Sequence, residues 1–599
     1  MKTLNRLSVL ALVAAGMLVQ PSCKKTYLAQ PALGALSVSQ TSSSAGISAL
    51  LVGAYAALDA QKGNNNNQTF SGGNAWEASP DNWIYGSVAG GDAHKGSSST
   101  DQPPIASVAT FTTDASNGFM NSKWIADYEG IARCNNVLKA LPLAKDVTAA
   151  DGISFTAQAR FLRGHYYFDL KKMFNMVPYV DEKTVSTDVS NTTDVWPDIE
   201  ADFTFAAANL PASQGQAGRV NKWAAESYLA KAYLYEHKYA LADPLFTAII
   251  ASGTNSVGTT YALLANYSDN FYANTKNNAE TVFAIQQVSG DGTNQISNAN
   301  NGDMLNFPYN SPFRCCGFFQ PTLDLANSFR TDINGLPLVS TYNSFPIKND
   351  QGILGVSSKT AFTTDQGNID PRLDWTVGRR GIPYLDWGLH PGADWIREQV
   401  SAGPYSPIKN VYFQFTSGKY ADQSSFAPGT ANNVNIIRYA DVLLMAAEVK
   451  AQLGDLTTAQ TFVNMIRMRA SNKLDFVGNY INPATPAPPT ANTPAANYVI
   501  GLYPAGAFAA LGQGGALSAI YFERKLELAM EGGRFYDLVR WGIASQALQT
   551  YFAYDGQFIT DVNGAHFTKG KNEYYPIPQA QIDLETIGGK SALKQNPGY

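Results

Sequence analysis

The chain has 599 residues, of which 45% are hydrophobic and only 15% are charged, and its formal net charge is −5. This composition is typical of a folded, loop-rich extracellular protein and excludes a disordered or coiled-coil chain. Because the body of the chain has no basic block, we predict no nucleic-acid partner.

The N-terminus has the pattern of a secretory signal. Lys2 and Arg6 precede an apolar run from Leu7 to Val19. This run is too short to span a bilayer as an ordinary membrane helix, but it has the length of a signal-peptide hydrophobic region. Cys23 comes shortly after it, behind a small residue, where a bacterial lipoprotein has its lipidated cysteine.

We therefore expect residues 1–22 to be removed, Cys23 to carry a lipid, and residues 23–43 to form the lipidated N-terminus and tether. The lipid would be the only membrane attachment, since no later stretch reaches ~18 consecutive apolar residues. Gln20 departs from the Leu that lipoproteins usually have three residues before the cysteine. An ordinary signal peptide with an incidental cysteine is the alternative.

Two helical hairpins give the clearest structural signal. In Ile436–Ala470 apolar residues recur at three- and four-residue steps, Gly454 can end a first helix, and Asp455 can cap a second one. Trp223–Ile250 has the same character and resembles a tetratricopeptide unit. Further helices are predicted over residues 47–60, 124–141, 156–173, 196–210, 517–530 and 534–541.

Irregular segments separate and interrupt the helical parts. We predict an N-terminal helical region over residues 44–252 with an irregular loop at 70–117, an irregular insertion at 253–435 with short strands, and a C-terminal helical region with a tail at 436–599. Together, residues 23–599 would form one unit. The predicted fold class is mainly α: a tetratricopeptide-like frame of helical hairpins that carries a large, loop-rich insertion.

No pattern of catalytic residues emerges from the chain. Its five histidines are scattered, and none has the spacing of a zinc site. Asp441 and Glu448 lie on one helix face but two turns apart, so we interpret them as structural. The Gly90-Gly91-Asp92 loop could bind an anion or a structural calcium ion, although a role in loop folding is favoured. No other cofactor or metal is predicted.

Two clusters combine aromatic rings with polar groups, as sugar sites do. The first comprises Trp76, Asp81, Asn82, Trp83 and Tyr85, and the second comprises Tyr309, Arg314, Phe318 and Phe319. Plain packing is the alternative for each of these rings. Cys315 and Cys316, inside the second cluster, form either a vicinal disulfide or two free thiols.

Ten segments, spread in order over nearly the whole chain, resemble the SusD/RagB family. They are Cys23 after the hydrophobic run, ARFLRGHYYFDLKKMFNMVPYV at 159–180, NNAETVFAIQ at 277–286, PTLDLANSF at 321–329, DPRLDWTVGRRG at 370–381, GPYSPIKN at 403–410, RYADVLLMAAEVKAQLGD at 438–455, ERKLELAMEGGRFYDLVRWG at 523–542, YYPIPQAQIDL at 574–584, and the terminal LKQNPGY. Each segment is weak by itself, but ten in register are a specific signal.

The resemblance implies a non-enzymatic surface lipoprotein that binds oligosaccharides or polysaccharides at the Gram-negative outer membrane. It also implies a partner, a SusC-like TonB-dependent transporter that receives the glycan. In glycan-binding members the ligand contacts come from an early loop and the middle insertion, the regions of the two clusters. Lys24 and Lys25 depart from the acidic residues that many members have after the lipidated cysteine. A surface glycoside hydrolase and a tetratricopeptide-like interaction scaffold are the alternative functions.

Overall fold

The computed structural model describes residues 41–61, 68–186, 188–290, 298–348, 358–482, 486, 493–584, 586–587 and 590–599. The predicted signal peptide, Cys23 and most of the tether lie outside these ranges. The α-helices are α1 (Ser44–Ala56), α2 (Pro103–Ala109), α3 (Gly118–Ala140), α4 (Ala149–Phe174), α5 (Trp196–Asn209), α6 (Lys222–Tyr235), α7 (Tyr239–Ser252), α8 (Leu323–Ser328), α9 (Gln399–Ala402), α10 (Ser417–Tyr420), α11 (Tyr439–Gln452), α12 (Leu456–Ala470), α13 (Ala507–Glu527), α14 (Arg534–Arg540), α15 (Ala544–Asp555) and α16 (Gln579–Leu584).

The strands are short and occur in two-stranded pairs. They are β1 (Ala93–Gly96), β2 (Thr281–Ile285), β3 (Phe318–Pro321), β4 (Val377–Gly378), β5 (Ser406–Pro407), β6 (Ala421–Asp422), β7 (Gly429–Thr430), β8 (Val434–Arg438), β9 (Thr586–Ile587) and β10 (Lys590–Ser591). The pairs are β1 with β3, β2 with β8, β4 with β5, β6 with β7, and β9 with β10, all antiparallel. The predicted fold class, mainly α with short strands, is confirmed.

The long helices form one continuous stack. Helices α3, α4, α5, α6 and α7 pack in succession, and α7 then packs against α11, which is followed by α12 and α13. Helix α1 packs across α3 and α4. The stack therefore continues from α7 to α11, although the whole insertion separates these two helices in sequence. This is the predicted arrangement, in which a helical frame carries an insertion.

The two predicted hairpins are present with the predicted turns. Gly454 has φ +89° between α11 and α12, and the Asp455 side chain accepts a hydrogen bond from the backbone N–H of Thr458. Between α6 and α7, His237 has φ +58°. Helix α11 is buried along nearly its whole length because it contacts α7 and α13 as well as α12. The burial explains why its apolar residues extend beyond one helical stripe.

Two segments differ most from the prediction. The early loop at 70–117 contains a π-helix at Trp83–Val88, strand β1 and helix α2, whose first turn contains two prolines that need no N–H partner there. Helix α13 begins at Ala507, ten residues earlier than predicted, and has a break at Gly512 (φ +68°). That glycine interrupts the periodicity on which the prediction relied.

Close backbone contacts fix the early loop to the rest of the molecule. Ala93 pairs with Pro321 and Gly96 with Phe318 in the β1–β3 ladder. A Cβ atom on Gly86 would lie 1.8 Å from the carbonyl oxygen of Gly532, so only glycine fits at this crossing. Among the described residues, no helix is both long and apolar enough to cross a membrane.

A buried ionic network joins several of the family-like segments. The Glu527 carboxylate accepts hydrogen bonds from Arg372, Arg438 and Arg469, and all four side chains are at most 3% exposed. Further members are Glu280, Asp370, Lys409, Arg467, Glu523 and Glu531. These residues lie in the segments at 277–286, 370–381, 403–410, 438–455 and 523–542 and in α12. The network gives these segments a structural role in the core.

Candidate functional site

The first predicted cluster is mostly in the core. Trp83 is fully buried and donates its indole N–H to the Gly302 carbonyl oxygen at 3.1 Å. The Tyr85 hydroxyl, also buried, donates to the backbone oxygens of Glu77 and Phe119. Asn82 is 4% exposed, in a left-handed conformation, and its amide donates to Asp169. Their hydrogen bonds are therefore made inside the protein.

The rings of Phe318 and Phe319, from the second cluster, contact the first cluster inside the core. The Phe319 ring lies 5.6 Å from the Trp83 ring and the Phe318 ring 6.4 Å from it, between centroids. Both phenylalanines are at most 3% exposed. Since Trp83, Tyr85, Phe318 and Phe319 have no face open to solvent, packing replaces the ligand contact that the sequence suggested for these four rings.

Asp81 also points inward. Its carboxylate accepts from the Ser79 hydroxyl and the Trp83 backbone N–H, and it shares a cavity of about 80 Å³ with Asp303. Burial, and then the neighbouring Asp81, raise the pKa of Asp303 well above its usual range. The cavity has room for a few water molecules and not for a sugar ring.

Three predicted residues remain at or near the surface. Tyr309 is 36% exposed, and Arg314 is exposed. Trp76 is only 8% exposed, and its indole N–H has no hydrogen-bond partner among the described residues. The Phe426 ring, itself 53% exposed, lies edge-on to Trp76 with 6.4 Å between centroids. Directly after Arg314 in the chain, Cys315 and Cys316 form a disulfide, one of the two alternatives left open by the sequence.

We name this region the aromatic surface and define it as Trp76, Tyr309, Arg314, Trp387, Phe415, Gln423 and Phe426. Several of its members contact the same neighbouring residues. Cys315 packs against a small cluster of Ala299, Met304 and Ala427, and Ala427 follows Phe426 in the chain. Tyr412 accepts a hydrogen bond from Gln423 and packs against the half-buried Trp387 at 5.8 Å.

Phe415 is the most exposed ring of the aromatic surface, at 66%. It lies 5.6 Å from Phe413, and its backbone N–H donates to Asp386. Sequence reasoning missed Phe415, Gln423 and Phe426 because nothing in their local pattern marks them. Trp387 also lies outside the two clusters that the sequence analysis named. Three exposed or half-exposed rings from separate turns, an arginine and a glutamine are the kinds of side chain that bind a sugar chain by stacking and hydrogen bonding.

The glycine-rich loop at Gly90-Gly91-Asp92 is part of the packing. The Gly91 carbonyl oxygen accepts from the Thr322 hydroxyl, and the Asp92 carboxylate accepts from the Met530 backbone N–H. Burial raises the pKa of Asp92 to about 6. Within the described ranges, no group of three or more His, Cys, Asp or Glu residues could hold a metal ion. A structural calcium ion at this loop stays a prediction.

The carboxylates on α11 have structural partners. Asp441 pairs with Arg524 at 2.7 Å and Glu448 with Arg540 at 2.6 Å, all of them buried. Burial also lowers the pKa of His165 to about 3, so this histidine is neutral. The structural interpretation of Asp441 and Glu448 is therefore confirmed.

Comparison with known proteins identifies the family. A family profile described as "SusD family" matches residues 279–599, and one described as "Starch-binding associating with outer membrane" matches residues 42–234. The SusD-like protein P25 of Formosa agariphila is 24% identical over 443 residues, which cover 72% of each chain.

Solved structures with this fold include a SusD superfamily protein of Bacteroides vulgatus, with a TM-score of 0.66 at 20% identity, covering 93% of this chain and 100% of the other. Surface glycan-binding protein A of Bacteroides thetaiotaomicron, in complex with laminarihexaose, has a TM-score of 0.60 at 21% identity and covers 92% and 98%. The structural likeness establishes the fold. Since the first profile spans more than half of the chain, the protein belongs to the SusD family.

Proposed function

We propose that this protein is a non-enzymatic, lipid-anchored protein of the outer-membrane surface that binds oligosaccharides and delivers them to a SusC-like TonB-dependent transporter. The observation that carries the proposal is the aromatic surface. Its rings Phe415 and Phe426 are each more than half exposed. Exposed rings of this size lose contact with water when a sugar's C–H face covers them.

The arrangement suits capture with release. Stacking on an exposed ring contributes roughly 0.5–1.5 kcal/mol beyond the area it buries. Two or three such contacts with a few hydrogen bonds support affinities near the micromolar range, from which a ligand can still dissociate. The laminarihexaose bound to the Bacteroides thetaiotaomicron relative shows that this fold can present an oligosaccharide site.

The anchor and the partner rest on the sequence and the family. The cysteine behind the hydrophobic run, Cys23, is the residue we propose to be lipidated. Cys23→Ser should release the protein from the membrane fraction, whereas retention would contradict lipid anchoring. When the wild-type protein is purified from solubilised membranes, a TonB-dependent transporter should be purified with it. Consistent absence of the transporter would contradict the delivery role.

The binding test compares two exposed phenylalanines. Phe426→Ala removes a ring of the aromatic surface, while Phe345→Ala removes a ring that is 56% exposed elsewhere. Calorimetry on a panel of neutral and charged oligosaccharides should find a ligand whose affinity falls roughly three- to tenfold in Phe426→Ala and stays unchanged in Phe345→Ala.

Three outcomes would refute parts of this function. Equal affinity of both variants would remove Phe426 from the site. Hydrolysis of any oligosaccharide on the panel, measured by product analysis after prolonged incubation, would contradict a purely binding role and favour a surface glycoside hydrolase. Absence of any glycan binding by the wild-type protein would favour an interaction scaffold.

A further inference from the structure

Arg314 is a cation that the protein itself does not neutralise. Its side chain is exposed, and among the described residues it makes no ion pair or hydrogen bond. Arg397, whose guanidinium lies 5.3 Å from the Tyr309 ring centroid, differs because it pairs with Asp101 at 2.7 Å and donates to Ser97 at 2.8 Å. The positive charge at Arg314 is therefore available to a ligand, whereas that of Arg397 is matched internally.

The backbone at Arg314 is in an unusual conformation. Its φ is +77°, in the left-handed region that a long side chain rarely adopts. The Arg314 N–H donates to the Ser311 carbonyl oxygen in the turn. Glycine or asparagine would adopt this conformation at lower cost. Non-glycine residues held there occur often at ligand sites, where the direction of the side chain matters.

Arg314 lies within the aromatic surface. It follows Phe313, whose ring packs against Tyr412 at 5.4 Å and against Trp387 at 4.7 Å between centroids. The same tyrosine packs against Trp387. A ligand that stacks on this surface would therefore lie within reach of the guanidinium.

Two carboxylates of the insertion, Asp386 and Asp422, already accept hydrogen bonds from the backbone. Asp386 accepts from the backbone N–H groups of Gln414 and Phe415, and Asp422 accepts from the N–H of Ser424. They do not pair with Arg314. An arginine with five donors in a planar fork binds a carboxylate or sulfate with two parallel hydrogen bonds, which a neutral hydroxyl cannot match.

We infer that the aromatic surface binds oligosaccharides that carry acidic substituents, either carboxylate or sulfate, and that Arg314 is the residue that recognises the substituent. This inference rests on the proposed glycan-binding function and adds the class of ligand. The rings would bind the sugar faces, and Arg314 would select for charge.

Matched ligand pairs test the inference because they differ only in charge. One pair is oligogalacturonate and its methyl ester, and the other is a sulfated laminarin oligosaccharide and unmodified laminarihexaose. Calorimetry at roughly 50 mM salt should show that the wild-type protein binds the acidic member of at least one pair about ten- to a hundredfold more tightly. Roughly 500 mM salt should reduce this preference.

The variants isolate the role of Arg314. Arg314→Gln should abolish the preference for the acidic member, and Arg314→Lys should retain part of it. Lys139→Gln, which removes an exposed cation on α3, is the matched control and should change nothing. Unchanged thermal unfolding would show that each variant is folded.

Three results would overturn the inference. If the wild-type protein binds the neutral and acidic members equally, Arg314 does not select for charge, but the proposed glycan-binding function stands. If Arg314→Gln weakens both members equally, Arg314 is a general sugar contact. If no member of either pair binds, the inference fails, and failure of the whole glycan panel would also refute the proposed function.

Discussion

Glu527 joins three arginines in the core, so we expect Glu527→Gln to destabilise the protein without a change in the glycan site. Its carboxylate bonds Arg438 at 2.6 Å and Arg372 at 2.9 Å, and it also bonds Arg469. Burial raises the pKa of Glu527, but the three guanidinium groups together hold it well below its usual value. Its stabilising contribution is therefore fully present at neutral pH and is lost only on acidification below the pKa of an unfolded glutamate.

The magnitude follows from what the substitution leaves behind. Each arginine keeps another acidic partner, namely Asp370 for Arg372, Glu531 for Arg438 and Glu280 for Arg469. Removing one partner of a buried ionic group costs about 3–5 kcal/mol. With an unfolding entropy of roughly 2.1 cal/mol/K per residue, a chain of this length that unfolds as one unit should lose about 2–4 °C in Tm.

Thermal unfolding at pH 7, followed by circular dichroism, measures this loss. The control is Glu129→Gln, which removes an exposed pair in which the Glu129 and Arg133 side chains are 39% and 29% exposed. Exposed pairs contribute about 0–1 kcal/mol, so the control should shift the Tm by less than about 1 °C. Equal shifts for the two variants would refute the reasoning that the network stabilises the core.

Two further predictions concern the contact between the early loop and the C-terminal helices. Burial raises the pKa of Asp92 to about 6, so the contribution of Asp92 to the stability of the folded state should fall as pH rises from about 4 to about 6. Asp92→Asn keeps an oxygen that can accept from the Met530 N–H. It should therefore raise the Tm near pH 8 and leave it unchanged near pH 4, and an equal change in Tm at the two pH values would contradict this. Gly532 has φ +74°, and a Cβ atom there would lie 1.6 Å from the Asp81 carbonyl oxygen, so Gly532→Ala should cost at least about 2 kcal/mol. The control is Gly533→Ala, whose Cβ atom would meet no atom within 4 Å and should leave the stability unchanged. Similar thermal melts of the two variants would argue against the close contact between Gly532 and Asp81.

Local signals predicted the helical frame well. The pairs of helices around Gly454 and His237 follow from apolar periodicity and from turn and cap residues, which act within a few positions of the chain. The irregular character of the insertion also follows from composition. The structure of the early loop was harder to predict, because its π-helix and strand β1 depend on contacts with β3 and with the region of Gly532.

The site could not be assigned residue by residue from the sequence. Trp83 and Trp76 occur seven positions apart in the same loop, yet Trp83 is fully buried and Trp76 meets the surface ring of Phe426. The partner of the Trp83 indole is Gly302, 219 positions away. Aromatic composition alone cannot show which ring finds such a partner.

The sequence by itself determined the family, the helical hairpins and the regions from which a ligand site would come, since these depend on motifs and local periodicity. Only the tertiary structure decided which aromatic residues are core and which form the aromatic surface. It placed Phe318 and Phe319 against Trp83, and it left Phe426 and the cation of Arg314 exposed. The physical reason is that burial of a ring depends on contacts between segments hundreds of residues apart, which no local pattern encodes.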